Sequence, residues 1–150
     1  MPINESDIKI LLPILHKIPL FQGLNEKEHR DILERIILMY YPKDYDLFSE
    51  GEMGDALYII KNGAVEIFHP AKTEDEEIKK VAQINDNGFF GEMALVTEEK
   101  RNASAKTLLD SEIFILSRDD FKKLLDSNQT LAEQISATVV KRTDENFTNK

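Results

Sequence analysis

YDLFSEGEMGDALYIIKNGAVEIFHP, residues 45–70, decides the fold. Short β-favouring runs alternate in it with the turn pairs Glu50-Gly51, Gly54-Asp55 and Asn62-Gly63. Strands punctuated in this way mark an antiparallel sheet. Asn62-Gly63, between LYII and AVEIF, is the strongest short-range hairpin signal in the chain, so a hairpin is expected there. AKTEDEEIKK (71–80) is polar with mixed charge and reads as a solvated hairpin tip. Further strands are expected at KVAQI (80–84), GFF (88–90), SAKTLLD (104–110) and EIFILS (112–117).

Both flanks read as helical. Ile8, Leu11, Leu12 and Leu15 recur at helical spacing, with Pro13 expected to bend or break the segment. KIPLFQGL (17–24) is a connector. Asn25 with Glu28 three residues on makes a cap-like start for EKEHRDILERIILMY, whose Ile32, Leu33, Ile36 and Ile37 would share one apolar face. After the strands, Ser117 with Asp120 opens RDDFKKLLDS, and a second helix is expected from about 129 to 142, with DENFTNK fraying. Helices, about eight short strands and helices again describe a mainly β protein with flanking α. The expected architecture is an antiparallel, jelly-roll-like β-roll with N-terminal helices and two C-terminal helices. One domain over 1–150 is expected: a helical lead-in (1–42), the roll (43–117) and the C-terminal helices (118–145).

Composition narrows the function. A net charge of −9 argues against nucleic acid as a partner, since that footprint needs a clustered basic surface. Any anionic ligand would meet long-range repulsion, so its site must supply local donors. The chain has no cysteine, which excludes disulfides and thiolate metal sites. MPINESDIKILLPILHK is no signal peptide, and no apolar run approaches the roughly 20 residues of a membrane span, so a cytoplasmic protein with no membrane partner is expected. His16, His29 and His69 are scattered without metal-ligand spacing and read as surface or boundary residues; no metal is expected. No nucleophile elbow, Walker loop or G-x-G-x-x-G occurs, and an enzyme is not expected.

FFGEMALVTEEKRNASA (89–105) carries the chemistry. If Gly91-Glu92-Met93-Ala94-Leu95 forms one helical turn after a strand, its first amides lack internal partners and attract anions. Gly91 and Ala94 leave that backbone approachable. Arg101 offers a planar fork suited to two phosphate oxygens. Glu92, an acceptor only, cannot ligate phosphate; its natural partner is a nearby hydroxyl such as a ribose 2′-OH, and it can also pair with Arg101 when the site is empty. A phosphate and a ribose hydroxyl held together describe a compact nucleotide. The bland alternative is a surface ion pair worth roughly 0–1 kcal/mol.

FFGEMAL followed by RNASA closely resembles the phosphate-binding cassette of the cyclic nucleotide-binding domain family. SEGEMGDALYIIKNGAVEIF (49–68) resembles that family's second signature, KIPLFQGLNEKEHRDIL (17–33) its helical lead-in, and SRDDFKKLLDSN (117–128) the helix after the barrel. The resemblance implies a β-roll with helices at both ends. It gives Glu92 the ribose hydroxyl, Arg101 the cyclic phosphate, and the amides of Gly91, Ala94 and Asn102 or Ala103 the rest of the cradle; Met93 belongs to the same turn. Gly51, Gly54 and Gly63 would be structural turn glycines, and Asp55 would brace the site through the arginine. Asn87, Lys100 and Ala105 depart from the usual residues without threatening binding. Asn102 stands where Thr often accompanies cGMP and Ala or Ser cAMP, so cAMP is favoured over cGMP. The implied role is a stand-alone sensor that passes ligand binding to an effector protein, with the last helix moving as a lid through Val139, Lys141 and Arg142. The Leu131/Ile135/Val139 stripe could alternatively pair two chains into a homodimer. The competing class is a scaffold of the same fold that mediates protein–protein interaction without ligand.

Overall fold

The computed structural model describes the backbone of residues 2–148 and the side chains of 2–139. Helix α1 (Glu5–Lys17) starts in a capping box: the Asn4 side chain accepts from the Asp7 amide, and the Asp7 carboxylate accepts from that of Asn4. Pro13 lies inside this helix and does not end it. A proline there removes one backbone bond, while Leu11, Ile14 and Leu15 remain buried along one face. Asp7 is 1% exposed and meets Lys61 Nζ at 2.8 Å, which ties α1 to the sheet.

A 3₁₀ turn (Pro19–Phe21) leads to α2 (Glu26–Leu33), which opens in the expected Asn25–Glu28 capping box. Helix α2 is shorter than expected, because Ile37–Tyr41 is strand β1, inside the stretch read as helical lead-in. An unbroken apolar run is compatible with either state. Pairing of β1 with the strand Ser111–Ser117 satisfies both backbones, whereas a longer α2 would leave that strand's edge unpaired.

The remaining strands are β2 (Asp46–Phe48), β3 (Ala56–Asn62), β4 (Ala64–His69), β5 (Lys79–Asn85), β6 (Phe89–Phe90), β7 (Ser104–Thr107) and β8 (Ser111–Ser117). They form two antiparallel sheets, ordered β1-β8-β3-β6 and β2-β7-β4-β5. Eight antiparallel strands in two sheets with helices at both ends is the expected roll. β4 and β5 are paired across the polar tip, also as expected.

Asn62-Gly63 does not make a hairpin. β3 pairs with β8 and β6, and β4 with β5 and β7, so the chain turns a corner from one sheet into the other. Gly63 has φ +127°, and a Cβ on it would stand 2.1 Å from Ser111 Oγ. The turn signal was real, but a local signal does not choose the strand partners.

β3 is buried on both faces. Leu57 and Ile59 join Phe114 and Leu116 of β8 against the helices, while Tyr58 and Ile60 point into the roll with Val65 and Ala105. Helix α3 (Arg118–Ser127) is capped by the Ser117 side chain, which accepts from the Asp120 amide. Asn128 caps α4 (Gln129–Thr148), which extends past the expected end near 142. Leu131 and Ile135 are 0% and 2% exposed within the helical core, so these two stripe residues are buried within their own chain and not free to pair two chains. His29 is likewise buried and not at the surface: its Nε2 lies 3.0 Å from the Phe21 carbonyl, and its ring is 4.2 Å from that of His16.

Candidate functional site

Two segments about fifty residues apart in sequence are zipped together at one end of the roll. The Arg101 amide donates to Glu52 O at 2.6 Å, the Gly51 amide to Arg101 O at 2.8 Å and the Gly54 amide to Glu99 O at 3.2 Å. The Glu50 amide donates to Ser104 Oγ at 2.9 Å. Backbone and side-chain bonds thus carry the turn-rich segment against the loop that holds Arg101 and leads into the strand Ser104–Thr107.

After β6 the chain bends at Gly91, φ +83°, into a second 3₁₀ turn, Glu92–Leu95. Only glycine takes this backbone without strain. A Cβ there would also come within 2.9 Å of both Ala56 O and Arg101 Nη1. Gly54 is equally close on the other side: a Cβ on it would lie 3.0 Å from Ala94 Cβ and 3.3 Å from Arg101 Cζ. Gly54 is therefore part of the site wall as well as a turn residue.

Arg101 reaches between these glycines with its side chain 9% exposed. Among the described residues its guanidinium makes one hydrogen bond, from Nη2 to Ala56 O at 3.0 Å, and its buried Nε has no acceptor. Asp55 approaches only to 4.0 Å and is 81% exposed, so the expected brace is long and screened. Burial holds the Arg101 pKa below its ordinary value against the opposing pull of Tyr58, Asp55 and Glu52. The guanidinium still carries its charge at neutral pH. Phe48 lies under it, with Cζ 4.1 Å from the ring centroid, and Tyr58 is 5.9 Å away. Burial, then Asp55, pushes the Tyr58 hydroxyl up to about 12. Phe48, Tyr58 and Phe90 form one aromatic group, with Tyr58 and Phe90 stacked at 5.1 Å.

A cavity of about 320 Å³ opens beside this corner. Gly91, Met93, Ala94, Arg101 and Asn102 line it, five of the residues expected at the site, together with Gly54, Thr97, Glu99 and Lys100. Ala103 is buried behind the wall. Glu92 turns elsewhere: its Oε2 accepts from the Leu20 amide at 3.3 Å, and among the described residues no ion pair joins it to Arg101. The pairing with Arg101 that the sequence also allowed is not formed among the described residues, and the Leu20 amide of the first 3₁₀ turn donates to the Glu92 carboxylate.

Val139 lies in a separate groove of about 580 Å³ between α3, α4 and the end of the second 3₁₀ turn, with Leu95, Val96 and Ile135. Lys141 and Arg142, the other expected lid residues, lie outside the described side chains. Among the described residues no group of three His, Asp or Glu side chains could hold a metal ion, and no helix is long and apolar enough to cross a membrane.

The aromatic group under Arg101 was not anticipated. Tyr58 stands inside the quoted upstream signature, but nothing local in DLF or GFF tells which ring meets the arginine.

Comparison with known proteins agrees with this geometry. The family model of the cyclic nucleotide-binding domain matches residues 38–128. The chain is 32% identical over 124 residues to a Cyclic AMP receptor protein of Thermus thermophilus, covering 83% of this chain and 56% of that one. It is 34% identical over 111 residues to a cAMP-dependent protein kinase regulatory subunit of Aspergillus fumigatus, covering 74% and 26%. The chain thus spans about half the length of the first and about a quarter of the second. The regulatory domain of Toxoplasma gondii PKA, solved as a co-crystal with cAMP, superposes with a TM-score of 0.70 at 26% identity, covering 81% of this chain and 46% of that one. With the match running from β1 past the end of α3, the chain belongs to the cyclic nucleotide-binding domain family.

Proposed function

We propose that this protein is a sensor that binds a cyclic mononucleotide and hands the event to an effector protein through α4. In this reading the cyclic phosphate sits on Arg101 and on the amides of Gly91 and Asn102 or Ala103, and the Ala94 amide, which donates to Gly91 O at 3.2 Å, joins them only by sharing that hydrogen bond. Glu92 takes the ribose 2′-OH. The observation that carries the reading is the Arg101 guanidinium, buried to 9% beside a cavity and left with one hydrogen bond. A buried cation without adequate partners is costly, and an anion entering the cavity offsets that cost. cAMP is the favoured ligand over cGMP, since Asn102 on the exposed rim lacks the threonine hydroxyl that accompanies guanine in the resembling pattern.

Transmission follows from packing. Leu95 and Val96 close the phosphate turn and share a groove with Val139 and Ile135 of α4. A ligand that moves the turn presses directly on that helix, so Val139, with Lys141 and Arg142 beyond it, forms the moving lid. The reading assigns the protein no catalytic step.

A ligand-free scaffold is the second reading, and the engagement of Glu92 by the Leu20 amide favours it. Calorimetric titration with cAMP and cGMP, with Arg101→Ala as control, separates the two. Micromolar or tighter binding that disappears in the variant supports the sensor. Absence of heat and of any thermal shift with both ligands supports the scaffold.

A further inference from the structure

We propose that Phe48 is a positioning residue that holds the Arg101 guanidinium in its binding pose; the inference rests on the ligand reading above. Most buried arginines are oriented by carboxylates or by several carbonyls. Arg101 has one carbonyl, Ala56 O at 3.0 Å, and a distant, exposed Asp55. Its closest broad contact is the Phe48 face, 4.1 Å from Cζ, well inside the range in which a ring quadrupole attracts a cation. That attraction grows when water is excluded, as it is around a side chain 9% exposed.

The ring is itself fixed. Phe48 ends β2 opposite Ala105 of β7, in the strand that continues from Arg101. Its centroid is 5.8 Å from Tyr58 and 6.1 Å from Phe90, and those two rings are stacked within 10° of parallel. Gly54 and Gly91 also lie against the guanidinium: a Cβ at Gly91 would stand 2.9 Å from Arg101 Nη1, and one at Gly54 3.3 Å from Arg101 Cζ. A face held by a ring and glycines packed close by leave the guanidinium with an unused Nε donor and a set direction. An arginine that is already immobile loses less rotamer freedom when an anion arrives, which strengthens binding without any contact between Phe48 and the ligand.

The test uses the full chain and the variants Phe48→Leu, Phe48→Tyr, Arg101→Met and Phe48→Leu/Arg101→Met. Leucine keeps an apolar side chain but has no π face; tyrosine keeps the face. With cAMP in calorimetry, Phe48→Leu is expected to weaken affinity roughly three- to thirtyfold, and Phe48→Tyr to stay close to wild type. Urea unfolding without ligand is expected to be non-additive, the leucine penalty shrinking once Arg101 is methionine. Unchanged or tighter binding by Phe48→Leu, equal losses for leucine and tyrosine, or additive unfolding midpoints would each overturn the positioning role. A wild-type chain that takes up no cyclic nucleotide would instead overturn the function proposed above, and the unfolding midpoints would still decide whether the ring holds the guanidinium.

Discussion

The sheet β1-β8-β3-β6 separates two regions built on opposite terms. Its outer face, through Leu57, Ile59, Phe114 and Leu116, packs against Phe21, Phe121 and Leu131 of the helical layer, all at most 1% exposed. At the end of its inner face lies Arg101, nearly as well buried, with a charge, one hydrogen bond and an unpartnered Nε. Burial stabilises the first region and costs the second. The difference teaches that the helical layer secures the fold, while the corner around Arg101 is held at a cost that the proposed ligand would offset.

The sharpest way to break this contrast is to mutate both sides. Phe121→Ala removes a fully buried ring from the helical layer and should cost about 3–5 kcal/mol of stability, read from urea unfolding. A loss below 1 kcal/mol would mean that the helices are not the stabilising layer. Arg101→Ala should leave the unfolding midpoint near or above wild type, yet weaken cyclic nucleotide binding by roughly 2–5 kcal/mol in calorimetry. A fold that collapses without Arg101 would make the arginine structural.

Glu92 refines the comparison, because its carboxylate links the two regions through Leu20. Glu92→Ala should cost roughly 1–3 kcal/mol of affinity, and the difference from wild type should vanish when both are titrated with the 2′-deoxy ligand. A penalty that persists there would assign Glu92 to holding the first 3₁₀ turn and not to the ribose.

The smallest expected effect tests a buried titratable group of the helical layer, His29. Burial, then the neighbouring His16, lowers the pKa of His29 from its ordinary 6.5. The unfolded chain therefore takes up a proton more readily than the folded one. Stability is full above about pH 6.5 and falls as pH drops below it towards the folded value. Thermal melts from neutral to mildly acidic pH should show this decline, and His29→Asn should flatten it. Equal slopes for both proteins would place the acid sensitivity elsewhere.

Several elements were legible in the sequence because their causes are local. The caps at Asn25 and Ser117 formed as read, since a capping side chain and its amide lie three residues apart. The turn after β6 formed because Gly91 takes a backbone that other residues resist. The site residues Gly91, Met93, Ala94, Arg101 and Asn102 line one cavity because they are close in sequence and share a bend. Misreadings arose where the decision was distant. Ile37 to Tyr41 became strand through pairing with β8, Asn62-Gly63 became a corner because other strands occupied both neighbours' edges, and Leu131 and Ile135 were claimed by the chain's own core.

By itself, the sequence determined the class of roll, the helices at its ends, and an arginine with small residues at one corner of the roll. These depend on turn conformations, caps and side-chain chemistry, which act over a few residues. Only the tertiary structure decided that Glu92 faces Leu20, that Gly54 walls the site, and that Arg101 rests on Phe48. Such contacts join segments tens of residues apart, and their geometry follows from how two sheets and a helical layer close together, which no local pattern encodes.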